Sequence, residues 1–419
     1  MELRDPGRQV LTLLPRSFGA RLALIAGLAV IVRVLFVVLV ARHYEGIGDF
    51  FFYHRNANAL AEGLGFIDPF LSTPTDPYPS ALHPPLWPFL LSGASKLGAA
   101  SFLAHRLVGV IPGTVTVVLI GLLGRRVGGA RAGLLAAAIA AAYPTLIAAD
   151  GSLMSETLYG TFVAAALLLA LRLLDRPGVA RAGALGATIG LAALTRGEAV
   201  LFVPLLALPL AWRGGRPRRL ARLATTLLCT ALVIAPWTAR NWIQFDRPIL
   251  ISSNDSTVLA GANCASVFAG PDIGTWDIEC ISPVRRELNE AQQAEIWRRE
   301  GRRYAEEHLS RLLTVGPVRV LRTWGFYQPR RQANLSEGGA QWVKYTSTAV
   351  YYLLLVFAAF GVVLLRRLRA TLLVLLSPLI VVTLSSAASF GLPRFRQAAE
   401  IAIVTLAAVA IEGWRGRRR

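Results

Sequence analysis

The feature that most constrains this chain is the length of its apolar runs. From Leu22 to Val40 a single charged side chain, Arg33, interrupts the sequence, and Phe162–Leu171 with its flanks is equally apolar. An α-helix crosses the ~30 Å hydrocarbon core of a bilayer in about 20 residues. In hydrocarbon, only a helix or a closed barrel satisfies every backbone polar group. The composition agrees: 54% of the 419 residues are hydrophobic and 16% are charged, against about 25% charged in soluble domains. Intrinsic disorder and a single soluble domain are excluded. The expectation is an all-α polytopic membrane protein. No small-residue cleavage site follows the first run, which therefore reads as an anchor rather than a removed signal peptide.

Spans are expected near 22–41, 107–124, 132–149, 155–174, 180–195, 198–212, 220–237, 346–365, 370–388 and 397–413, about ten in all. The formal charge of +19 is carried almost entirely by arginine, and its distribution sets the orientation. With the N-terminus inside, the cytoplasmic segments collect Arg4, Arg8, Arg16 and Arg21, the cluster 125–131, Arg172–Arg181, Arg213–Arg222, Arg366–Arg369 and the C-terminal arginines. The four acids there are Glu2, Asp5, Asp175 and Glu412. The outer segments 43–102 and 238–345 are close to balanced. That is the positive-inside pattern, so the charge is explained by topology and calls for no nucleic acid. His83–Gly98 is apolar, but it opens on Pro84-Pro85 and carries Lys96. It reads as an interfacial or re-entrant helix on the outer face, because a crossing there would invert the three following arginine clusters.

This divides the chain into a transmembrane module over 1–237, with its first external loop at 43–102, an extracytoplasmic segment 238–345, and C-terminal transmembrane helices over 346–419. The first loop contains an amphipathic stretch from Asp49 to Glu62. The long segment is expected to be mixed α/β, with strand and turn character around Ile249–Asp255 and an amphipathic helix from about Arg286 to Leu309. Cys264 and Cys280 bracket a turn-rich stretch (Gly270-Pro271-Asp272, Gly274) in this outer segment, where thiols oxidise and stay oxidised. One disulfide is expected there, with Cys229 left as a small apolar residue inside a span.

Ionisable groups beside or within spans cost several kcal/mol unless paired or solvated. They are Arg33, Asp49, His83, Asp150, Glu156, Arg196, Glu198, Arg394, Arg396 and Glu400. All except Arg33 fall toward the outer ends of the expected spans. Asp49, set among aromatic residues, suits either a general base whose pKa desolvation raises or the N-cap of the following helix. His83 is either part of an interfacial turn or a donor to an anionic headgroup. Arg196 and Glu198 either neutralise a tight corner or mark a ligand site between two short spans. Arg394 and Arg396 either snorkel or bind phosphate near a helix N-terminus. The five histidines show no zinc-binding spacing, and neither a Walker motif nor a Ser/His/Asp order is present.

In chain order, Gly48-Asp49…Tyr53…Ala57-Asn58, His83-Pro84-Pro85-Leu86, Met154-Ser155-Glu156-Thr157-Leu158-Tyr159, Thr195-Arg196-Gly197-Glu198, Pro236-Trp237-Thr238-Ala239-Arg240-Asn241 and Pro393-Arg394-Phe395-Arg396 together resemble the GT-C superfamily of membrane glycosyltransferases. The resemblance is to its protein O-mannosyltransferase and aminoarabinose-transferase branch, family 39-like. It implies a GT-C fold and inverting transfer of a hexosyl or pentosyl group from a polyprenyl-phosphate donor to an acceptor hydroxyl. It places this chemistry on the extracytoplasmic face of the plasma membrane, with no cofactor required, although a divalent metal at the carboxylates is compatible. It casts Asp49 as base, His83, Arg196 and Arg394 as donor-phosphate ligands, and Tyr53, Asp150, Glu156, Glu198 and Arg396 as pocket or acceptor residues. The first loop reads Gly-Asp rather than the paired Asp-Glu of protein mannosyltransferases, which favours a glycan or glycolipid acceptor over a protein. The alternative is a transporter or flippase of a lipid-linked sugar. Such a protein would carry charge through both leaflets, whereas here the inner halves of the spans are nearly free of it.

Overall fold

A computed structural model of the protein describes residues 17–417, apart from 45, 74, 212–215 and 336–338. The arginines expected at 4, 8, 16, 213, 418 and 419, with Glu2 and Asp5, lie outside the described residues. The described residues are predominantly helical. Seven stretches are long and apolar enough to cross a membrane: Phe18–His43, Phe102–Ala142, Glu156–Asp175, Arg218–Phe245, Gln341–Leu365, Arg369–Ala388 and Pro393–Arg415. The chain is thus a multi-pass membrane protein. The count of ten is not reached by this measure, for two reasons. Val179–Ala193 and Gly197–Ala207 are short, and the stretches expected at 107–124 and 132–149 count together within Phe102–Ala142, although they are two helical arms that meet at a kink at Gly129.

That helix doubles back. Gly129, at φ +85° and ψ 179°, departs from helical geometry, and a Cβ at Gly121 or Gly124 would meet Ala137 or Ala136. In a straight helix such pairs would be separated by three turns or more. The positive φ that glycine adopts without strain is what reverses the chain, between the arginines at 125–126 and Arg131.

We label the helices α1 (Phe18–Leu39), α2 (Asp49–Ala61), α3 (Leu86–Lys96), α4 (Phe102–Val108), α5 (Val110–Ala142), α6 (Pro144–Gly151), α7 (Glu156–Asp175), α8 (Val179–Ala193), α9 (Phe202–Ala211), α10 (Arg216–Phe245), α11 (Asn254–Ala262), α12 (Glu290–Glu307), α13 (Leu309–Thr323), α14 (Gln341–Leu365), α15 (Arg369–Ala388) and α16 (Gln397–Arg417). The last helix is the centre of the bundle: Ala398, Ala399, Ile401, Ile403, Val404, Leu406, Ala407 and Ala408 are all buried. It packs against α5 and α14, while α1 and α10 present much of their apolar surface outward. Contact is close where side chains are small. A Cβ at Gly186 would run into the Thr226 carbonyl, and Thr230 Oγ1 donates to the Gly186 carbonyl at 2.9 Å, drawing α8 onto α10. Small residues and hydroxyl donors are what hold helices together where lipid removes the hydrophobic drive.

The outer segment differs from expectation. Among the described residues there are no strands, only isolated bridges (Ile67 with Pro79, Thr73 with Asp76). Ile249–Ile251, despite its strand-like composition, forms no strand, and side chains of α10 take its carbonyls. Asn241 Nδ2 donates to Ile249 at 3.0 Å, Thr238 Oγ1 to Leu250 at 2.7 Å and Trp237 Nε1 to Ile251 at 2.6 Å. With its acceptors satisfied from one helix, the segment needs no partner strand, and Asn254–Ala262 folds as a helix. The amphipathic helix expected over 286–309 forms as α12, opened by a capping box between Asn289 and Gln292. Cys264 and Cys280 are disulfide-bonded, and Cys229 is free. His83–Gly98 contributes the short helix α3, whose 11 residues cannot span a bilayer.

Candidate functional site

Asp49 is the first residue of α2, with Gly48 as its N-cap and no side-chain capping bond. The capping alternative is therefore not realised. Instead its carboxylate faces Arg394, whose Nη2 lies 2.5 Å from Oδ2, and His83, whose Nε2 lies 3.7 Å from Oδ1. Arg394 Nε is also 3.5 Å from Glu156 Oε1, and its Nη1 lies 3.6 Å from the Met154 sulfur. Arg196 then bridges two acids, with Nη1 2.8 Å from Glu156 and Nε 2.6 Å from Glu198. Six side chains from five separate segments form one ionic chain: His83–Asp49–Arg394–Glu156–Arg196–Glu198.

Each segment is aimed by specific contacts. The corner between α6 and α7 passes through Leu153, a buried residue at φ +65°. This left-handed conformation costs a non-glycine residue of order 1–3 kcal/mol, and it is held by Trp87 Nε1, which donates to the Leu153 carbonyl at 3.1 Å. The corner presents Met154 and Glu156 to Arg394. The loop bearing His83 is tied at both ends. Arg240 Nη1 donates to the Ser80 carbonyl at 2.7 Å, and Glu290 of α12 accepts from Ala81 N–H at 2.8 Å. At the far end Leu86 N–H donates to the Leu194 carbonyl at 2.9 Å, joining His83 to the Arg196 corner. The His83 ring packs against Phe52 and Tyr53, with centroids 4.6 and 5.1 Å away. Tyr53 donates to Ser155 Oγ at 3.2 Å.

Phe395, which residue type alone did not single out, lies beneath both guanidinium groups, 5.1 Å from Arg196 and 5.5 Å from Arg394. Its ring meets Phe390 at 4.9 Å, and Phe390 meets Trp276 at 6.3 Å. Gly391 N–H donates to the Gly274 carbonyl at 2.8 Å. The disulfide-closed loop thus abuts the corner that carries Arg394.

Burial alone would raise the Asp49 pKa, as expected from its aromatic surroundings. The structure reverses the direction: the adjacent charges of Arg394 and His83 outweigh desolvation and hold the carboxyl at about 2. The same burial, with Arg394 and Arg196 nearby, lowers the His83 pKa against the pull of Asp49. Asp49 is ionised at pH 7.

Two residues expected in the pocket are elsewhere. Asp150 is the partner of Arg33, Oδ2 to Nε 2.6 Å, inside the bundle. Arg396 turns inward, 2.7 Å from Glu400 and 3.7 Å above the Tyr351 ring. Glu400 also accepts from Tyr143 Oη at 2.9 Å. Guanidinium groups lie against the carboxylates of Asp49, Glu156 and Glu198 alike. Among the described residues no group of three metal-ligating side chains occurs.

The family described as dolichyl-phosphate-mannose-protein mannosyltransferase matches residues 82–239, a stretch that includes His83, Glu156, Arg196 and Glu198. Among curated protein sequences none matches. Among solved structures, the archaeal oligosaccharyltransferase AglB from Archaeoglobus fulgidus, in complex with an inhibitory peptide and a dolichol-phosphate, superposes with a TM-score of 0.59. It is 16% identical over 96% of this chain and 50% of that chain. The Archaeoglobus fulgidus oligosaccharyltransferase in complex with Zn and sulfate gives 0.58, with 16% identity over 95% and 49%. ArnT from Cupriavidus metallidurans bound to undecaprenyl phosphate gives 0.47, with 14% identity over 93% and 77%. The chain spans about half the length of the oligosaccharyltransferase chain it matches.

Proposed function

With the GT-C fold of membrane glycosyltransferases as the premise, we propose that this protein transfers a sugar from a polyprenyl-phosphate donor to an acceptor hydroxyl on the extracytoplasmic face. The observation that carries the reading is the meeting of one ionised carboxylate, Asp49, with two guanidinium groups, Arg394 and Arg196, at the ends of separate helices. A lipid phosphate is already a good leaving group, so the protein needs to take a proton from the acceptor and stabilise the departing charge. The acceptor O–H gives its proton to Asp49, and the oxygen forms the new bond to the anomeric carbon. The old carbon–oxygen bond breaks with its electron pair on the phosphate, which Arg394 and Arg196 hold. The reaction needs no second carboxylate as nucleophile, and Glu156 and Glu198 both pair with Arg196. Direct displacement inverts the anomeric centre. The acceptor is a glycan or glycolipid, in keeping with the single acid at the start of α2.

The test is transfer of radiolabelled sugar from a panel of polyprenyl-phosphate sugars by the purified protein. Asp49→Asn should lower transfer about 10²–10⁴-fold, the contribution of a positioned general base. Near-normal turnover would remove Asp49 from that role. The sidedness is tested with Arg131→Cys, at an exposed position beside the Gly129 reversal. An impermeant thiol reagent added to intact cells should leave it unlabelled.

A further inference from the structure

The two groups to which the proposed reaction gives opposite tasks are each other's partners. Asp49, the base, and Arg394, the phosphate anchor, are 2.5 Å apart. While that pair stands, neither is free for its task. The surrounding charge sharpens the conflict. Three carboxylates, Asp49, Glu156 and Glu198, face two guanidinium groups, Arg394 and Arg196. Among the described residues, the other ionisable neighbours of Asp49 are His83, from the loop before α3, and Tyr53, from its own helix. An incoming phosphate therefore meets a site whose positive charge is already taken, and it must compete for it.

We propose that the donor phosphate displaces Asp49 from Arg394, so that arrival of the substrate itself frees the base. This rests on the lipid-phosphate reading above and deepens it. The exchange conserves charge through the reaction. The donor is a phosphodiester with one negative charge, and Arg394 turns from one anion to another as it binds. Asp49, without its guanidinium partner and still set among Phe52, Tyr53 and His83, regains the basicity that burial confers. On transfer Asp49 takes the acceptor proton and becomes neutral, while the leaving lipid phosphate gains the second negative charge. Asp49 then no longer competes for Arg394 at the moment the leaving group needs it most. Release of that proton restores the Asp49–Arg394 pair and helps expel the lipid phosphate.

The exchange makes a prediction that an undisturbed base would not. Removing the competing carboxylate should tighten binding of a lipid phosphate while abolishing transfer. The affinity for a polyprenyl monophosphate is measured in phosphatidylcholine nanodiscs at pH 7 for the parent protein, Asp49→Asn, Asp49→Ser, Arg394→Ala, Arg196→Ala and the Asp49→Asn/Arg394→Ala double variant. Both Asp49 variants should bind at least about tenfold tighter, in line with loss of one charge-assisted contact that competes with the ligand. Arg394→Ala should bind more weakly, and in the double variant the Asp49 substitution should bring no gain, because its effect runs through Arg394. Two Asp49 variants guard against a folding defect in one. Unchanged or weaker binding in the Asp49 variants, with Arg394→Ala still impaired, overturns the exchange and leaves the phosphate site standing. If Arg394→Ala and Arg196→Ala both bind like the parent, the phosphate reading fails and the exchange fails with it.

Discussion

Arg33 and Asp150 offer a quantitative test of how the bundle is held together. Arg33, 1% exposed, donates from Nε to Asp150 Oδ2 at 2.6 Å. Its other nitrogens reach the carbonyls of Ala29, Ala140 and Ala141 only at 3.4 Å. Asp150 is 4% exposed, and its carboxylate occupies the space that a Cβ at Gly113 would fill. The pair thus joins α1, α5 and α6 at one point. Asp150→Leu, close in shape, leaves a buried guanidinium whose remaining partners are three long carbonyl contacts, and Arg33→Met leaves a buried carboxylate. Breaking a buried pair from one side costs about 3–5 kcal/mol. Replacing both partners by apolar groups removes the two desolvation penalties together and is often neutral or stabilising. The double variant should therefore lie within about 1–2 kcal/mol of the parent, far above either single variant. Stability is read by reversible SDS titration in mixed micelles, with all four proteins compared in one cycle. A loss below about 1 kcal/mol in both single variants, or a double variant no more stable than the worse single one, would refute the reasoning.

Cys264→Ser should destabilise the outer segment by roughly 3 kcal/mol, the loop-closure value for this separation. Because the closed loop abuts the Arg394 corner through Trp276, Phe390 and Phe395, reductant should raise the donor KM more than it lowers kcat. Glu290 of α12 is buried, and desolvation pushes its carboxyl up to about 7 despite bonds from Ser253 and Ala81. The folded state holds its proton more tightly than the unfolded one, so this contribution is complete below about pH 4.5 and is lost as pH rises through 7. In a pH series of thermal unfolding, Glu290→Gln should remove that fall, on the order of 3 kcal/mol between pH 4.5 and 7; an unchanged pH profile counts against it. Gly186→Val should separate α8 from α10 by placing a side chain against the Thr226 carbonyl, at about 1–3 kcal/mol. A thermal midpoint equal to the parent's would show that the helices are not in such close contact.

Much of this protein is legible along the chain because hydrocarbon leaves the backbone so little choice. A long apolar run must be a helix, and arginine counts at its ends assign its side. That local rule carried the long apolar helices, the shortness of the helix after Pro84-Pro85, and the amphipathic helices at Asp49 and Glu290. The same logic brought charged residues under suspicion wherever they stood near a span end, and Asp49, His83, Glu156, Arg196, Glu198 and Arg394 do lie in one ionic chain. What remained open depended on partners distant in sequence. Arg33 has its carboxylate 117 positions away, and nothing in the run around it points to Asp150. Arg396 and Arg394 are two residues apart, yet one turns into the bundle toward Glu400 and the other toward Asp49, because both sit in the tight turn Pro393–Arg396 that precedes α16, where side chains two apart leave in different directions. Ile249–Ile251 has strand composition, but the hydroxyl, amide and indole groups of α10 satisfied its carbonyls first. Asp49 shows the limit most clearly. Its aromatic neighbours argued for a raised pKa, and only the fold, by bringing Arg394 from the far end of the chain to 2.5 Å, reversed the sign. Coulomb attraction falls with distance in space, and the order of residues along the chain does not contain that distance.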